Sequence, residues 1–454
     1  MLHKLTNATL MTHSLRAYGL SHLEAQRQAD CLVRTVQALL DQGVPATATA
    51  LAYFVPGRIE VLGKHTDYAG GRSLTCAVER GICIIAVPGD GHSLHVTAID
   101  KGETARLSLE ADLEQQPGHW SHYARTVARR VARNFPDDLR GGHIALASTL
   151  PEASGMSSSS ALVVGFFLAL RDINNLDARH AYKENIQTCE DLAHYLGGIE
   201  GGWSIGMLAG DQGVGTFGGS EDHTAILCSE PGQLRCYRYA PTRFERAVPM
   251  PEGYVFAIGV SGVVAEKTGA VLASYNRAAQ LATAASEVWR GATGSTAPHL
   301  AAVLAEPDFD LAEMRYLLRR AEASVPGVLD RFEQFYLEDQ HVIPTALKSL
   351  ATGDMDAFGA CVAQSQEVAE RWLGNQIPET MSLVREAKAL GAVAASAFGA
   401  GFGGAVWAMV RAEEAAAFLE SWEASYGRQY AHRMPPAAFF LERPGPAAFA
   451  LGSD

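Results

Sequence analysis

Three separated segments hold the residues whose types and spacing could do chemistry: PGRIEVLGKHTDYAGG from Pro56, LPEASGMSSSSALVVG from Leu150 and SAFGAGFGG from Ser396. Their order and composition suggest one site that brings a polar small molecule up to a nucleotide. In the middle segment, Pro151 to Ser160 is a loop of small and hydroxyl residues that runs directly into Ala161–Leu170, a block apolar apart from one glycine. Such a junction predicts a loop opening a buried helix, whose free N–H groups and positive dipole end form an anion site. Gly155 lets the backbone approach phosphate oxygens, and the hydroxyls of Ser157, Ser158, Ser159 and Ser160 can donate to phosphate or ligate a hard cation. It is not a Walker A loop, because G-x-x-x-x-G-K-[ST] is absent. The same serines could instead cap a core helix, a role compatible with the first.

The elements that must carry these segments can be read from periodicity. Residues from about 9 to 43 look helical in two runs either side of Gly19, with Ala25, Ala29, Leu32, Val36 and Leu39 at alternating four- and three-residue steps, and read as a packing appendage. A strand–turn pattern starts near Leu51, and Gly89-Asp90-Gly91 within it signals a hairpin. Residues 118–134 and 161–171 read as helices. TAILCSEPGQLRCYRYAP, from Thr224, reads as two strands about a Pro-Gly turn, and YVFAIGVSG as one more. Beyond about residue 265 the chain becomes alanine-rich helix, and the strand-like AVWAMV follows the last glycine loop.

Composition narrows the setting. A chain of 454 residues is too long for one ordinary core, so two domains are expected, with a boundary around 240–260. The apolar share of 48% and charged share of 19% are those of a globular protein, and a net charge of −13 argues against nucleic acid or an anionic membrane as the main partner. Seven cysteines are odd in number and contain no C-x-x-C pair, which favours free thiols in a reducing compartment. With neither a leader nor a 20-residue apolar span to read, the expected location is cytoplasmic.

The trio resembles the three motifs of the GHMP small-molecule kinases, and GRIEVLGKHTDYAGG is most similar to their galactokinase branch. The likeness is collinear from about residue 51 to 445 and includes SYNR at Ser274–Arg277 and GDMDAFGACVAQS ahead of the third motif. It implies an α+β fold: an N-terminal domain like ribosomal protein S5 domain 2 over 49–250, a ferredoxin-like C-terminal domain over 251–454, the active site between them, and residues 1–48 as a helical extension. It implies ATP, Mg²⁺ and phosphoryl transfer to a hydroxyl, which in a galactokinase-like member is the anomeric hydroxyl of a sugar. Such transfer asks for positioning, a base and cations over the moving oxygens. By resemblance Arg58 stands beside the base and the γ-phosphate. Asp211 in AGDQGVG and Asp222 in GGSEDHTAIL are both candidates for the base. Asp211 is preferred because Gly210-Asp211-Gln212 looks like the family's M-D-Q with its methionine lost. Asp222 then becomes a solvated turn residue leading into a strand. Ser159 matches the Mg²⁺-ligating hydroxyl, and Glu200, 11 residues before Asp211, is the expected second ligand, with Glu190 a distant alternative. Gly401 and Gly403 of the third motif would bring N–H groups towards phosphates.

Sugar recognition is where the chain departs from the pattern. Galactokinases read G-R-x-N-x-x-G-E-H-T-D-Y, with the glutamate accepting a hydrogen bond from the sugar's 6-hydroxyl; here Glu60 replaces the Asn and Lys64 the Glu. Asp67 matches the aspartate that takes two ring hydroxyls, Tyr275 a tyrosine lining the pocket, and His65 a structural or pocket histidine. Lys64 has no acceptor for a hydroxyl but would suit a C6 carboxylate, which raises a uronic acid such as galacturonate as substrate. Alternatively Lys64 pairs with Glu60 and the pocket reads C6 differently. Two functional classes stay open, an active sugar 1-kinase and a galactokinase-like sugar sensor without turnover. Assembly as a monomer or a homodimer stays open too.

Overall fold

The computed structural model describes residues 1–151, 154–264, 269–434 and 436–452. Two sheets organise it. The larger has eight strands in the order β12-β1-β2-β5-β3-β4, with β6 on β2 and β7 on β6: β1 Leu51–Leu62, β2 Arg72–Pro88, β3 Ser93–Ala98, β4 Glu103–Ser108, β5 Gly142–Ser148, β6 Gln233–Arg238, β7 Arg243–Pro249 and β12 Phe449–Leu451. The smaller is antiparallel, β11-β8-β10-β9, from β8 Tyr254–Val260, β9 Ala394–Ala397, β10 Ala405–Arg411 and β11 Ala438–Glu442. The sheets fall either side of residue 250, but the chain's end returns to the first: Phe449 pairs with Phe54 across β12 and β1. The expected span 251–454 therefore gives up its last strand to the larger sheet.

Helices α1 (Ala8–Ala17) and α2 (His22–Asp41) confirm the two N-terminal runs. The α2 stripe of Ala25, Ala29, Leu32, Val36 and Leu39 is buried with Phe54, Cys83, Ile85 and Ala147, so the extension forms a covering layer on the large sheet. On the other face lie α3 (His122–Asn134) and α4 (Ser158–Ile173). The apolar block after the serine loop is thus a buried helix, as its composition predicts; Gly165 lets it seat against Ile84, whose Cδ1 stands 2.1 Å from where a Cβ would go. Then follow α5 (His180–Asn185), α6 (Cys189–Gly201), α7 (Glu221–Cys228) and α8 (Gly269–Thr293).

Two expectations are corrected. Gly89-Asp90-Gly91 makes no hairpin, because β5 lies between β2 and β3. TAILC is not a strand but most of α7, with Ala225, Ile226, Leu227 and Cys228 all buried. A short apolar run fits a buried helix as well as a strand, and periodicity alone does not separate them. No helix among the described residues is long and apolar enough to cross a membrane.

Candidate active site

A cleft of about 1180 Å³ brings the three segments together. Arg58, Glu60, His65 and Asp67 line it from the first, Gly155 and Ser157 to Ser160 from the second, and Gly399, Gly401 and Gly403 from the third. Glu200, Glu221, Asp222 and Tyr275 complete the wall. At the start of α4, Ser157 is left-handed (φ +60°) and its side chain makes no cap hydrogen bond, so it leaves the first-turn N–H groups open to a ligand. The two glycine loops nearly touch: a Cβ on Gly399, itself at φ +80°, would come 2.8 Å from the Gly155 carbonyl.

Arg58 ties these parts to one another. Buried on β1, it donates from Nε to Asp222 Oδ1 at 2.7 Å and from Nη1 to the Gly155 carbonyl at 2.6 Å. Burial opposes its charge, but Asp222, Glu60 and Glu221 more than compensate and hold it firmly protonated. Asp222, second residue of α7, also accepts from Ser160 Oγ at 3.3 Å.

Asp211 lies elsewhere. In the loop between α6 and α7, its carboxylate takes Arg129 Nε at 2.5 Å and Nη2 at 3.1 Å, with Arg133 Nε at 3.4 Å, and it is not among the residues lining the cleft. Partial burial raises its pKa, and the bonds from Arg129 reverse that to a net lowering. The structure thus separates Asp211 from Arg58 and sets Asp222, the other candidate, beside that arginine in the cleft. Glu200 and Asp222 are 22 residues apart, and the Gly-Asp-Gln tripeptide lies midway in the loop between α6 and α7. The signal given too little weight in that segment is Glu-Asp directly ahead of HTAIL, an acidic pair at the first turn of a helix.

Glu200, at the end of α6, does face the cleft. Its Oε2 accepts from Ser160 Oγ at 2.8 Å and lies 3.1 Å from His223 Nε2. The hydroxyl beside Glu200 is therefore that of Ser160, while Ser159 lines the cleft one residue before it. The described residues include no cluster of three or more His, Cys, Asp or Glu side chains able to hold a metal by themselves. A hydroxyl and one or two carboxylates are nonetheless the hard oxygen donors that suit Mg²⁺, which takes few protein ligands and completes its shell with phosphate oxygens and water.

On the opposite wall Asp67 accepts from the backbone N–H of Tyr68 at 2.8 Å and of Glu221 at 3.2 Å. Its carboxylate is packed so close to Gly219 that a Cβ there would lie 2.3 Å from Oδ2. Burial raises the Asp67 pKa, partly offset by those N–H donors. His65 spans first and third motifs, Nδ1 at 3.0 Å from Tyr68 Oη and Nε2 at 3.1 Å from the Ala400 carbonyl. Tyr275 on α8 has its ring 5.2 Å from that of His65. Burial, then the charge of Asp67, pushes its phenol well up, leaving it a protonated donor.

Lys64 is not in the cleft wall. Its ammonium is buried and donates to Ser396 Oγ on β9 at 2.7 Å and to Ser365 Oγ at 3.2 Å. With Trp407 Nε1 donating to the Glu60 carbonyl at 3.2 Å, it fastens the first motif to the small sheet. Glu60 is its electrostatic neighbour, and the direct hydrogen bonds of Lys64 run to the serines. Glu60 itself faces the cleft, where burial pushes its carboxyl up to about 7. Glu221 beside it is raised well above the usual range by burial and by Glu60 and Asp67. One oxygen of each finds no donor elsewhere among the described residues, and the Glu221 carboxyl donates to Glu60. Sequence reasoning gave Glu60 only a pairing with Lys64 and assigned nothing to Glu221, Trp120 or Tyr123, the last two lining the cleft ahead of and on α3.

Comparison with known proteins gives three family matches: the galactokinase galactose-binding signature over residues 44–88, the GHMP kinases N terminal domain over 122–209 and the GHMP kinases C terminal over 346–428. The chain is 26% identical over 390 residues to a galactokinase of Glaesserella parasuis, covering 84% of this chain and 91% of that protein. It is 28% identical over 401 residues to one of Chloroflexus aggregans, covering 87% and 92%. Among solved structures, Lactococcus lactis galactokinase complexed with galactose superposes with a TM-score of 0.72 at 19% identity, over 91% of this chain and 98% of that one. Methanococcus jannaschii mevalonate kinase gives 0.54 at 14%, over 88% and 98%, and these two likenesses speak for the fold.

Proposed function

The chain belongs to the GHMP kinases, on their galactokinase-like branch, and we propose that it transfers the γ-phosphoryl group of ATP to the anomeric hydroxyl of a neutral, galactose-like sugar, with Asp222 as the base. Its class is that of a sugar kinase, a phosphotransferase with an alcohol group as acceptor. The observation that carries the proposal is the Arg58–Asp222 pair at the junction of serine loop, glycine loop and sugar wall.

In this reading the open N–H groups at the start of α4 and those of Gly401 and Gly403 hold the phosphates. Trp120 and Tyr123 offer aromatic faces at the rim for the adenine. Asp67 accepts from two ring hydroxyls, and the facing carboxyls of Glu60 and Glu221 offer a further polar contact. Tyr275 donates, and His65 keeps the third motif seated on the first. Asp222 takes the proton of the attacking hydroxyl while Arg58 orients that carboxylate and covers developing phosphoryl charge. Ser160, Glu200 and the neighbouring Ser159 would hold Mg²⁺, which supplies charge neutralisation on the phosphates when bound. A neutral sugar is favoured over a uronate because Lys64, the intended carboxylate reader, is spent on Ser396 and Ser365, while carboxylates crowd the sugar wall. A cytoplasmic setting goes with this reading.

The test is an ADP-release assay with Mg-ATP against galactose, galacturonate, glucuronate, arabinose and glucose. Turnover on galactose or another neutral sugar supports the proposal. Turnover confined to the uronates overturns its choice of substrate, and none on any sugar, with sugar binding intact, shifts the reading to a sensor.

A further inference from the structure

Two cysteines far apart in sequence meet outside the cleft. Cys189 is the first residue of α6 and is exposed; Cys228 is the last of α7 and is buried. Their sulfurs lie 2.6 Å apart, and Cys189 Sγ also donates to the Leu227 carbonyl at 3.0 Å. The backbone on both sides is held. A capping box of Thr188 and Asp191 fixes the start of α6, and Tyr237 Oη donates to the Cys228 carbonyl at 2.9 Å. A disulfide needs about 2.05 Å between sulfurs, so a small side-chain adjustment would suffice to form one.

We propose that Cys189 and Cys228 are a reversible disulfide pair, oxidised by a peroxide that enters at Cys189. The Cys189 thiol gives up its proton as its sulfur attacks one peroxide oxygen and the O–O bond breaks; a sulfenic acid forms, and the leaving hydroxide takes that proton to become water. The Cys228 sulfur, still carrying its proton, then attacks that sulfur and forms the S–S bond, and the departing hydroxyl takes up that proton and leaves as a second water. The sum is two thiols plus hydrogen peroxide giving one disulfide and two waters, and a dithiol reductant reverses it. The bond would close the chain segment that carries Glu200, Glu221 and Asp222, and staple α6 to α7 at the ends away from the cleft. Cross-links over long segments stabilise most when native geometry already accommodates them. Cys31 and Cys83 form a second close pair, but both are buried and shielded from an oxidant.

The experiment treats the full chain with hydrogen peroxide, blocks remaining thiols by alkylation and maps peptides under non-reducing conditions. The expected result is a peptide joining Cys189 to Cys228, abolished by dithiothreitol and by Cys189→Ser or Cys228→Ser. Oxidised wild type should melt about 3 °C higher than reduced, and neither variant should show that gap. Recovery of Cys189 and Cys228 as separately alkylated or over-oxidised peptides overturns the proposal, as does a cross-link made first between Cys31 and Cys83. Because the peptide map is read on wild type, a variant that folds poorly does not blunt the test. The outcome is independent of which sugar the cleft takes.

Discussion

Two aspartates eleven residues apart in sequence, Asp211 and Asp222, each pair with arginine, and the surroundings of the two pairs differ in every respect that matters for catalysis. Asp211 faces Arg129 and Arg133, both on α3, in a partly exposed network that lowers its pKa and meets none of the three motifs. Asp222 faces the buried Arg58, whose second donor holds the serine loop and whose neighbours include Ser160, Glu60 and Glu221. The chemistry of the pair is the same in both. What distinguishes them is what else converges there, and only the second pair sits where a phosphate and a hydroxyl could meet.

This contrast can be broken by substitution. The largest effect is expected at Asp222: Asp222→Asn should lower kcat by about 10³-fold, in the range of a lost general base, while sugar binding changes little. Arg58→Ala should follow, with a loss of about 10²-fold in kcat and reduced stability, since it strands buried carboxylates. Arg58→Lys should recover only part, because a single ammonium cannot serve both Asp222 and the Gly155 carbonyl in the same geometry. Gly219→Ala should act on sugar rather than on ATP. Its methyl would displace the Asp67 carboxylate and raise the KM for sugar about tenfold, with the KM for ATP unmoved. An equal rise in both would mean that Asp67 does not read the sugar.

A subtler effect concerns pH. The Glu60 carboxyl, at about 7 in the folded chain against 4.5 ordinarily, keeps a proton that the unfolded chain releases. Its contribution to stability is therefore full below about pH 4.5, falls as pH rises from there to about 7, and is level beyond. Glu60→Gln removes that dependence, so the urea midpoint of the variant should gain on wild type between pH 5 and pH 8; a constant gap would show that Glu60 does not titrate in this window. Smallest of all, Asp211→Asn should cost about 1 kcal/mol of stability or less, measured by urea unfolding.

The contrast also shows what the sequence could reveal. The three motifs, the buried helix behind the serine loop and the α2 stripe were legible, because small-residue loops and apolar periodicity carry their own physical meaning. Arg58, His65, Asp67 and Tyr275 could be singled out because each lies in or near a compact motif, and all four line the cleft. Asp222 was weighed but set behind Asp211 because Gly-Asp-Gln looks like the family's tripeptide, and because HTAIL reads equally as strand or helix. Lys64 was misplaced for another reason. Charge at a motif position tells what a residue could bind but not which way it points, and here Ser365 and Ser396, some 300 residues on, draw it into the interior. Glu60 and Glu221 acquire meaning only when folding sets them together.

The most direct measurement is single-turnover phosphoryl transfer from Mg-ATP to the preferred sugar, run in parallel on Asp222→Asn and Asp211→Asn, with sugar affinity measured on each. The account predicts transfer slowed about 10³-fold in the first and within about twofold of wild type in the second, with both variants still binding sugar. Loss of transfer in Asp211→Asn with Asp222→Asn fully active would contradict it and return the base to the exposed pair.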